Sequence, residues 1–295
     1  MVNSRVPDRP PEVRARQITP ADRDAVAALL RHGFGFRRRR AFWQHAVDTL
    51  ATRKVPDGMP QLGYLLESDG RVVGTILVIA SRPHTGADPD AIRCSLSSWY
   101  VEPHFRIYAA MLAALALNHH NATHLNISPA PNTLATLAVQ GYARYCDGVF
   151  IVCAPLARGD GGTPTLLAAN REPPVPFEAF EWNLLRDHAA VGCLAFWCVT
   201  AARAYPFVFR RRLAKGLVPC AQLIYCRDTT DMVRFAGLIG RYVAVRGCPF
   251  VVIDANGPIA GLPGIYLDGR PKYFKGPDKP RLGDLAYTEA ALFGL

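Results

Sequence analysis

Along this chain the spacing of apolar positions switches repeatedly between two residues and three to four, marking out strands and helices in alternation. Residues 13–18 (VRARQI) alternate apolar and basic side chains, the pattern of a half-exposed strand. Thr19-Pro20-Ala21-Asp22 then supplies an N-cap, a proline at the first helical position and an acid three residues after the cap. Val26, Leu29 and Leu30 form the stripe of that helix, and Phe42, Trp43, Ala46, Val47 and Leu50 form the stripe of a second. Residues 62–66 and 72–80 flank Ser68-Asp69-Gly70, a strong hairpin signal. Residues 94–101 predict a further strand, closed by Pro103. Tyr108, Met111, Leu112 and Leu115 predict a helix directly after it, with that face inward. Residues 150–154 provide a closing strand.

A second series follows. Residues 158–164 (RGDGGTP) predict a linker, and Glu172-Pro173-Pro174-Val175-Pro176 a further break. After it come a helix with Phe177, Phe180, Leu184 and Leu185 on one face, and a hairpin over 193–199 and 207–210. A strand over 217–225, a helix over 230–245 and a strand over 249–253 come next. A loop rich in Gly and Pro then leads to an apolar segment at 285–293. Helix, hairpin, strand, helix, strand occur in this order in both halves; Tyr100 to Ile127 is 27 positions and Tyr225 to Ile253 is 28. The expectation is a degenerate tandem repeat of an α/β fold with a mixed sheet. Its parts are a tail at 1–12, a first domain at 13–157, a linker at 158–175 and a second domain at 176–295.

Composition narrows the picture. Half the residues are hydrophobic and a fifth charged, the balance of a globular protein with a substantial core. The formal net charge of +10 points to an anionic partner, whether cofactor phosphates, nucleic acid or an anionic surface. Arg37 to Arg40, with Arg31 near, is either a solvated basic face or part of such a site. Between Ile107 and Ala143 there is no Lys, Arg, Asp or Glu, so this stretch should be largely buried or face a partner. The eight cysteines form no C-x-x-C pair and mostly sit in apolar runs, which predicts reduced core thiols and no metal site. The basic, proline-rich start has no apolar core of a secretory signal, and no apolar run is long enough to span a bilayer. A cytoplasmic location is the expectation.

The chemistry centres on the strand-to-helix connection at 101–110. A helix N-terminus presents unpaired N–H donors and a positive dipole end, and one guanidinium stands beside it. Val101-Glu102-Pro103-His104-Phe105-Arg106 resembles the V-x-P-x-[YF]-R signature of the GNAT superfamily of acyl-CoA-dependent N-acyltransferases. Asn126-Ile127-Ser128, followed by a stretch ending in Gly141-Tyr142, resembles the next strand and helix of that family. The resemblance covers about residues 13–156 and implies a GNAT-like fold, here in a tandem arrangement with a degenerate second half. It implies acetyl-CoA or a longer acyl-CoA as co-substrate, and no metal. Tyr100, Val101, Arg106, Ile107, Tyr108, Ala109 and Ala110 would hold it, with Ser128 and Asn132 beside the next strand end.

Two departures stand out. Where the family has a glycine-rich pyrophosphate loop, Arg106 is followed by Ile107-Tyr108-Ala109-Ala110-Met111. The tyrosine that often serves as general acid lies four residues before the Gly-aromatic pair, and that position is Leu137. Glu102 and His104 are the nearest candidates for a general base, and Tyr142 or Tyr145 for an acid. In the second series Tyr225-Cys226-Arg227-Asp228-Thr229 puts an acid where phosphate would sit, so the first half should carry the activity.

The leading expectation is acyl transfer from acyl-CoA to an amine or hydroxyl of a small molecule or peptide. Two others stay open: transfer from aminoacyl-tRNA, and a catalytically inactive ligand-binding protein. Lys272-Tyr273-Phe274-Lys275 mixes basic and aromatic residues, as nucleic-acid surfaces do, although a plain basic loop is favoured over a nucleic-acid partner.

Overall fold

The computed structural model describes residues 12–35, 38–82, 90–119, 121–159, 164–214 and 216–294, with the side chain of Asn132 excepted. The linker segment at 160–163 and part of the basic run, Phe36 and Arg37, lie outside the described residues. The chain groups into two units: the described residues of 1–80 with 96–120, and those of 81–95 with 121–295.

In the first unit, β1 (Val13–Gln17) runs antiparallel to β2 (Gly63–Ser68), with Val13 opposite Ser68 and Gln17 opposite Tyr64. β2 turns into β3 (Arg71–Ser81) through Asp69 and Gly70, which adopt φ of 50° and 73°. Positive φ at both central residues is what a tight two-residue hairpin requires. The Thr19 N–H donates to Asp22 Oδ2 at 2.8 Å and starts the helical segment as the sequence predicts. Arg16 donates to the same carboxylate at 2.7 and 2.9 Å, and this bond chiefly holds the Asp22 carboxyl well below its ordinary value. α1 (Arg23–Gly33) and α2 (Arg40–Ala51) pack together and bury Val26, Leu29, Leu30, Trp43, Val47 and Leu50.

β4 (Ile92–Val101) begins in the second unit and ends in the first. A 3-10 segment at Pro103–Tyr108 leads into α3 (Ala109–Leu117), which packs on β2. α3 turns Leu112, Ala113 and Ala116 inward, and Met111 stays 39% exposed. The expected inner face, Tyr108-Met111-Leu112-Leu115, is therefore rotated. A helix apolar on every side has no stripe from which the sequence could tell its inner face. The uncharged stretch from Ile107 to Ala143 is only partly buried. Leu125 and Leu137 are covered, but Ile107 is 80% and Val139 89% exposed.

In the second unit, β5 (Ala122–Asn126) runs parallel to the start of β4, from Ile92 opposite Ala122 to Ser95 opposite Leu125. The further elements are α4 (Leu134–Val139), β6 (Ala143–Cys153), β7 (Thr165–Ala168), α5 (Ala179–Ala190) and β8 (Leu194–Val199). β9 (Ala204–Ala214), β10 (Val218–Cys226), α6 (Thr229–Arg234), α7 (Ala236–Ala244) and β11 (Phe250–Ala255) follow. β12 (Gly264–Lys275) and α8 (Glu289–Leu292) end the series. Beyond the start of β4 the strands stand in the order β5-β12-β6-β11-β10-β9-β8-β7. One buried cluster, with Phe196, Phe207, Phe209, Ile239 and Ile253, packs among β8–β11 and α7. Another gathers Leu125, Leu184, Trp197, Ile224, Leu285 and Ala291.

Three sequence expectations need correction here. The stretch read as a Gly- and Pro-rich loop is largely β12, a strand lying between β5 and β6. Its glycine serves close approach, since a Cβ on Gly264 would strike the Ile151 carbonyl. Pro271 falls where the register with β6 breaks between Asp268 and Lys272, one of the places where a sheet accepts proline. Lys272 is accordingly buried and paired with Asp254, so Lys272-Tyr273-Phe274-Lys275 is not a basic loop. The single helix expected over 230–245 is two, broken at Phe235 (φ −101°, ψ 10°). β7, finally, has no counterpart among the predicted elements.

All eight cysteines are free and seven are buried, as core thiols should be. Among the described residues no helix is long and apolar enough to cross a membrane.

Candidate functional site: a strand-to-helix turn and a buried polar cluster

Ser98 adopts φ of 52°, a left-handed conformation that interrupts the strand two residues before Tyr100. Tyr100 is half-buried, its ring centroid 6.5 Å from His32 and 6.3 Å from Phe34, with Gly33 directly beneath the ring. Val101 is buried, and the Glu102 N–H donates to the Val73 carbonyl at 2.9 Å, pinning the strand end to β3. Proline and a 3-10 turn then convert the strand into helix within a few residues.

On this turn His104, Arg106, Ile107 and Ala110 are exposed, while Tyr108 and Ala109 are half-buried. Arg106 makes no hydrogen bond or ion pair with a described residue. Glu102 differs: its two carboxylate oxygens accept from Arg71 at 2.8 and 3.0 Å. The sequence candidates Tyr100, Val101, Glu102, His104 and Arg106 to Ala110 thus lie together in the first unit.

Ser128, Asn132 and Tyr142 belong to the second unit. Tyr142 is buried, and burial chiefly pushes its phenol pKa upward. Leu137 is buried as well. The Asn132 side chain lies outside the described residues.

Ser128 leads to a cluster that the sequence did not disclose. Its hydroxyl donates to Glu289 Oε1 at 2.9 Å, and the Ser95 hydroxyl donates to Glu289 Oε2 at 2.8 Å. Glu289 is fully buried, and burial raises its pKa although both serine bonds oppose the shift. Arg93 meets Asp284 at 3.0 Å, and Lys272 meets Asp254 at 3.1 Å. Burial alone would raise the Asp284 pKa, but the charge and hydrogen bond of Arg93 leave it lowered. The available sequence signal was a lone acid, Glu289, within the apolar segment 285–293. The helix-capping role of Asp228 also emerges only here. It accepts from the Thr230 N–H at 2.7 Å and so occupies the N-terminus of α6 with its own charge.

No protein-family profile matches the sequence, and neither does any curated protein. Solved structures do match. A candidate acetyltransferase from Pyrococcus horikoshii aligns over 93% of each chain, with a TM-score of 0.60 at 12% identity. The chain has the GCN5-related N-acetyltransferase fold. A GCN5-related N-acetyltransferase from Anabaena variabilis aligns over 89% of this chain and 72% of its own, with a TM-score of 0.58 at 12% identity. Another, from Kribbella flavida, covers 90% and 71%, with a TM-score of 0.56 at 14% identity. At such identities the GNAT likeness is one of fold, and activity has to be argued from the residues.

Proposed function

We propose that this protein is an acyl-CoA-dependent acyltransferase that passes an acyl group from the thioester to an amine or hydroxyl of a small molecule or peptide. The observation that carries the reading is the turn itself. An exposed Arg106, paired with no described residue, stands on the 3-10 segment between β4 and α3, with the small Ala109 and Ala110 in the first turn of α3. A guanidinium and helix N-terminal N–H groups together suit a pyrophosphate. The GNAT fold around the turn supports the same cofactor class.

The chemistry asks little more of the protein. We assign to pantetheine and the thioester carbonyl the backbone N–H groups near Ser98, whose φ of 52° departs from regular strand geometry. A thiolate of ordinary pKa, about 8.5, leaves without obligatory protonation. His104, exposed and unlike Glu102 not engaged by a guanidinium, is the preferred base among the turn residues. We further read the chain as a tandem GNAT with one CoA site, held by residues before Leu156. Asp228 supports this division, because a carboxylate already caps α6 at the corresponding turn.

The test is a thermal-shift series with CoA thioesters of rising chain length, since a ligand bound only to the folded state raises Tm by mass action. Stabilisation by one or more thioesters is expected. No shift at millimolar ligand for any chain length overturns the proposal.

A further inference from the structure

The second unit contains a cavity of about 320 Å³ over one face of its sheet. That volume lies at the small end of ligand pockets, about 300–1,000 Å³. The floor follows from strand register. Gln222, Val252 and Ile151 stand directly opposite one another on β10, β11 and β6, and Val149 is opposite Leu267 in the next row of the same face. Leu285 and Ala290 close one wall and Ser128 another. The interior is mostly hydrocarbon.

Its charged groups are of one sign. Arg212, Arg270 and Lys272 line the cavity, and no Asp or Glu does among the described residues. Lys272 is neutralised by Asp254 at 3.1 Å. Arg270 is exposed and makes no hydrogen bond or ion pair with a described residue. Among the described residues the Arg212 guanidinium meets only an amide, Gln222 Oε1, at 3.4 Å. Asp268, the acid nearest to this stretch of β12, is engaged by Arg144 at 3.6 Å. Glu289 lies behind Ser128, its two oxygens taken up by the Ser95 and Ser128 hydroxyls. Two guanidiniums above an apolar floor, without a protein carboxylate to satisfy them, call for an anion that brings its own hydrocarbon.

We propose that this cavity binds a small carboxylate with an apolar body, the carboxylate held by Arg212 and Arg270 and the hydrocarbon laid on Val252, Ile151 and Leu267. The site lies wholly within the second unit and does not rest on CoA binding.

Isothermal titration of the full chain with octanoate, 1-octanol, octylammonium and inorganic phosphate tests it. Octanoate should bind with a stoichiometry of one, and the alcohol, the amine and phosphate should each bind at least about tenfold more weakly. Arg270→Ala should weaken octanoate about tenfold while leaving thermal unfolding unchanged, because Arg270 is exposed and unpaired. Arg212→Gln should do the same. Arg246→Ala, which removes a guanidinium stacked on Tyr242 elsewhere in the unit, should change nothing. Absence of octanoate binding at millimolar concentration overturns the proposal. So does equal binding of the alcohol, equal binding of phosphate, or an Arg270→Ala variant that binds like the wild type.

Discussion

Ser128 and Glu289 stand 161 positions apart, yet the serine hydroxyl donates a 2.9 Å hydrogen bond to the glutamate's Oε1. With Ser95 on the other oxygen, both ends of the carboxyl group are filled by hydroxyls, with no cation in hydrogen-bond contact. The two hydroxyl donors favour the carboxylate, but burial outweighs them and raises the Glu289 pKa.

That bias has a pH signature. The folded-state pKa is raised above the ordinary 4.5, so the folded protein holds its proton after the unfolded chain has lost it. Glu289 therefore adds stability at low pH, and this contribution declines as pH rises from about 4.5 through the folded pKa. Glu289→Gln, which cannot ionise, should remove this slope. Urea midpoints measured between pH 4 and 8 check it: the advantage of wild type over variant should shrink steadily with pH. A gap that does not change with pH contradicts the assignment.

Arg93 and Asp284, 3.0 Å apart and both buried, should behave as a unit. Arg93→Met leaves the buried carboxylate with only the more distant Arg281, at 4.0 Å, and should cost about 3 kcal/mol. Arg93→Met combined with Asp284→Leu should recover most of that loss, which chemical denaturation can measure as a double-mutant cycle. The Asp284 pKa is lowered from 3.8, so the stability it contributes is present above that value and is lost as pH falls through the folded pKa. The double variant should be the less acid-sensitive protein.

Gly33 lies under the Tyr100 ring so closely that an added Cβ would overlap the ring carbons. Gly33→Ala should displace Tyr100 and weaken CoA thioester binding severalfold, with little effect on helix α1, because alanine favours helices. Calorimetric affinity together with helical circular dichroism separates the two effects. Unchanged affinity would place Tyr100 outside the cofactor site.

Arg106→Ala should weaken CoA binding about tenfold to a hundredfold, as a charge-assisted hydrogen bond is worth roughly 1.5–3 kcal/mol. Pantetheine analogues without phosphate should bind the variant and the wild type nearly alike. Equal losses for both ligands would mean that Arg106 acts through the fold.

Much of the architecture was legible because it rests on neighbours in sequence. Thr19 and Asp22 specify a helix start within four residues, and Asp69-Gly70 specifies a hairpin within two. The stripes Val26-Leu29-Leu30 and Trp43-Val47-Leu50 mark inner faces by spacing alone. The turn from Val101 to Arg106 was equally readable, since proline and local strand-to-helix conversion are short-range properties.

What the sequence could not decide involves partners far along the chain. Gly264 and Pro271 carry loop signals, and only pairing with β5 and β6 makes that segment a strand. α3 is apolar all round, so its inner face was settled by what it packs against. The sequence by itself determined many of the elements and the turn with Arg106, because those depend on local dihedrals and periodicity. Tertiary structure alone decided that Glu102 is spent on Arg71 and that Ser95, Ser128 and Glu289 meet. It alone brought Arg212 and Arg270 to one cavity with a mostly apolar floor. Each of these contacts requires groups from distant segments, and its free energy exists only once folding has removed water from between them.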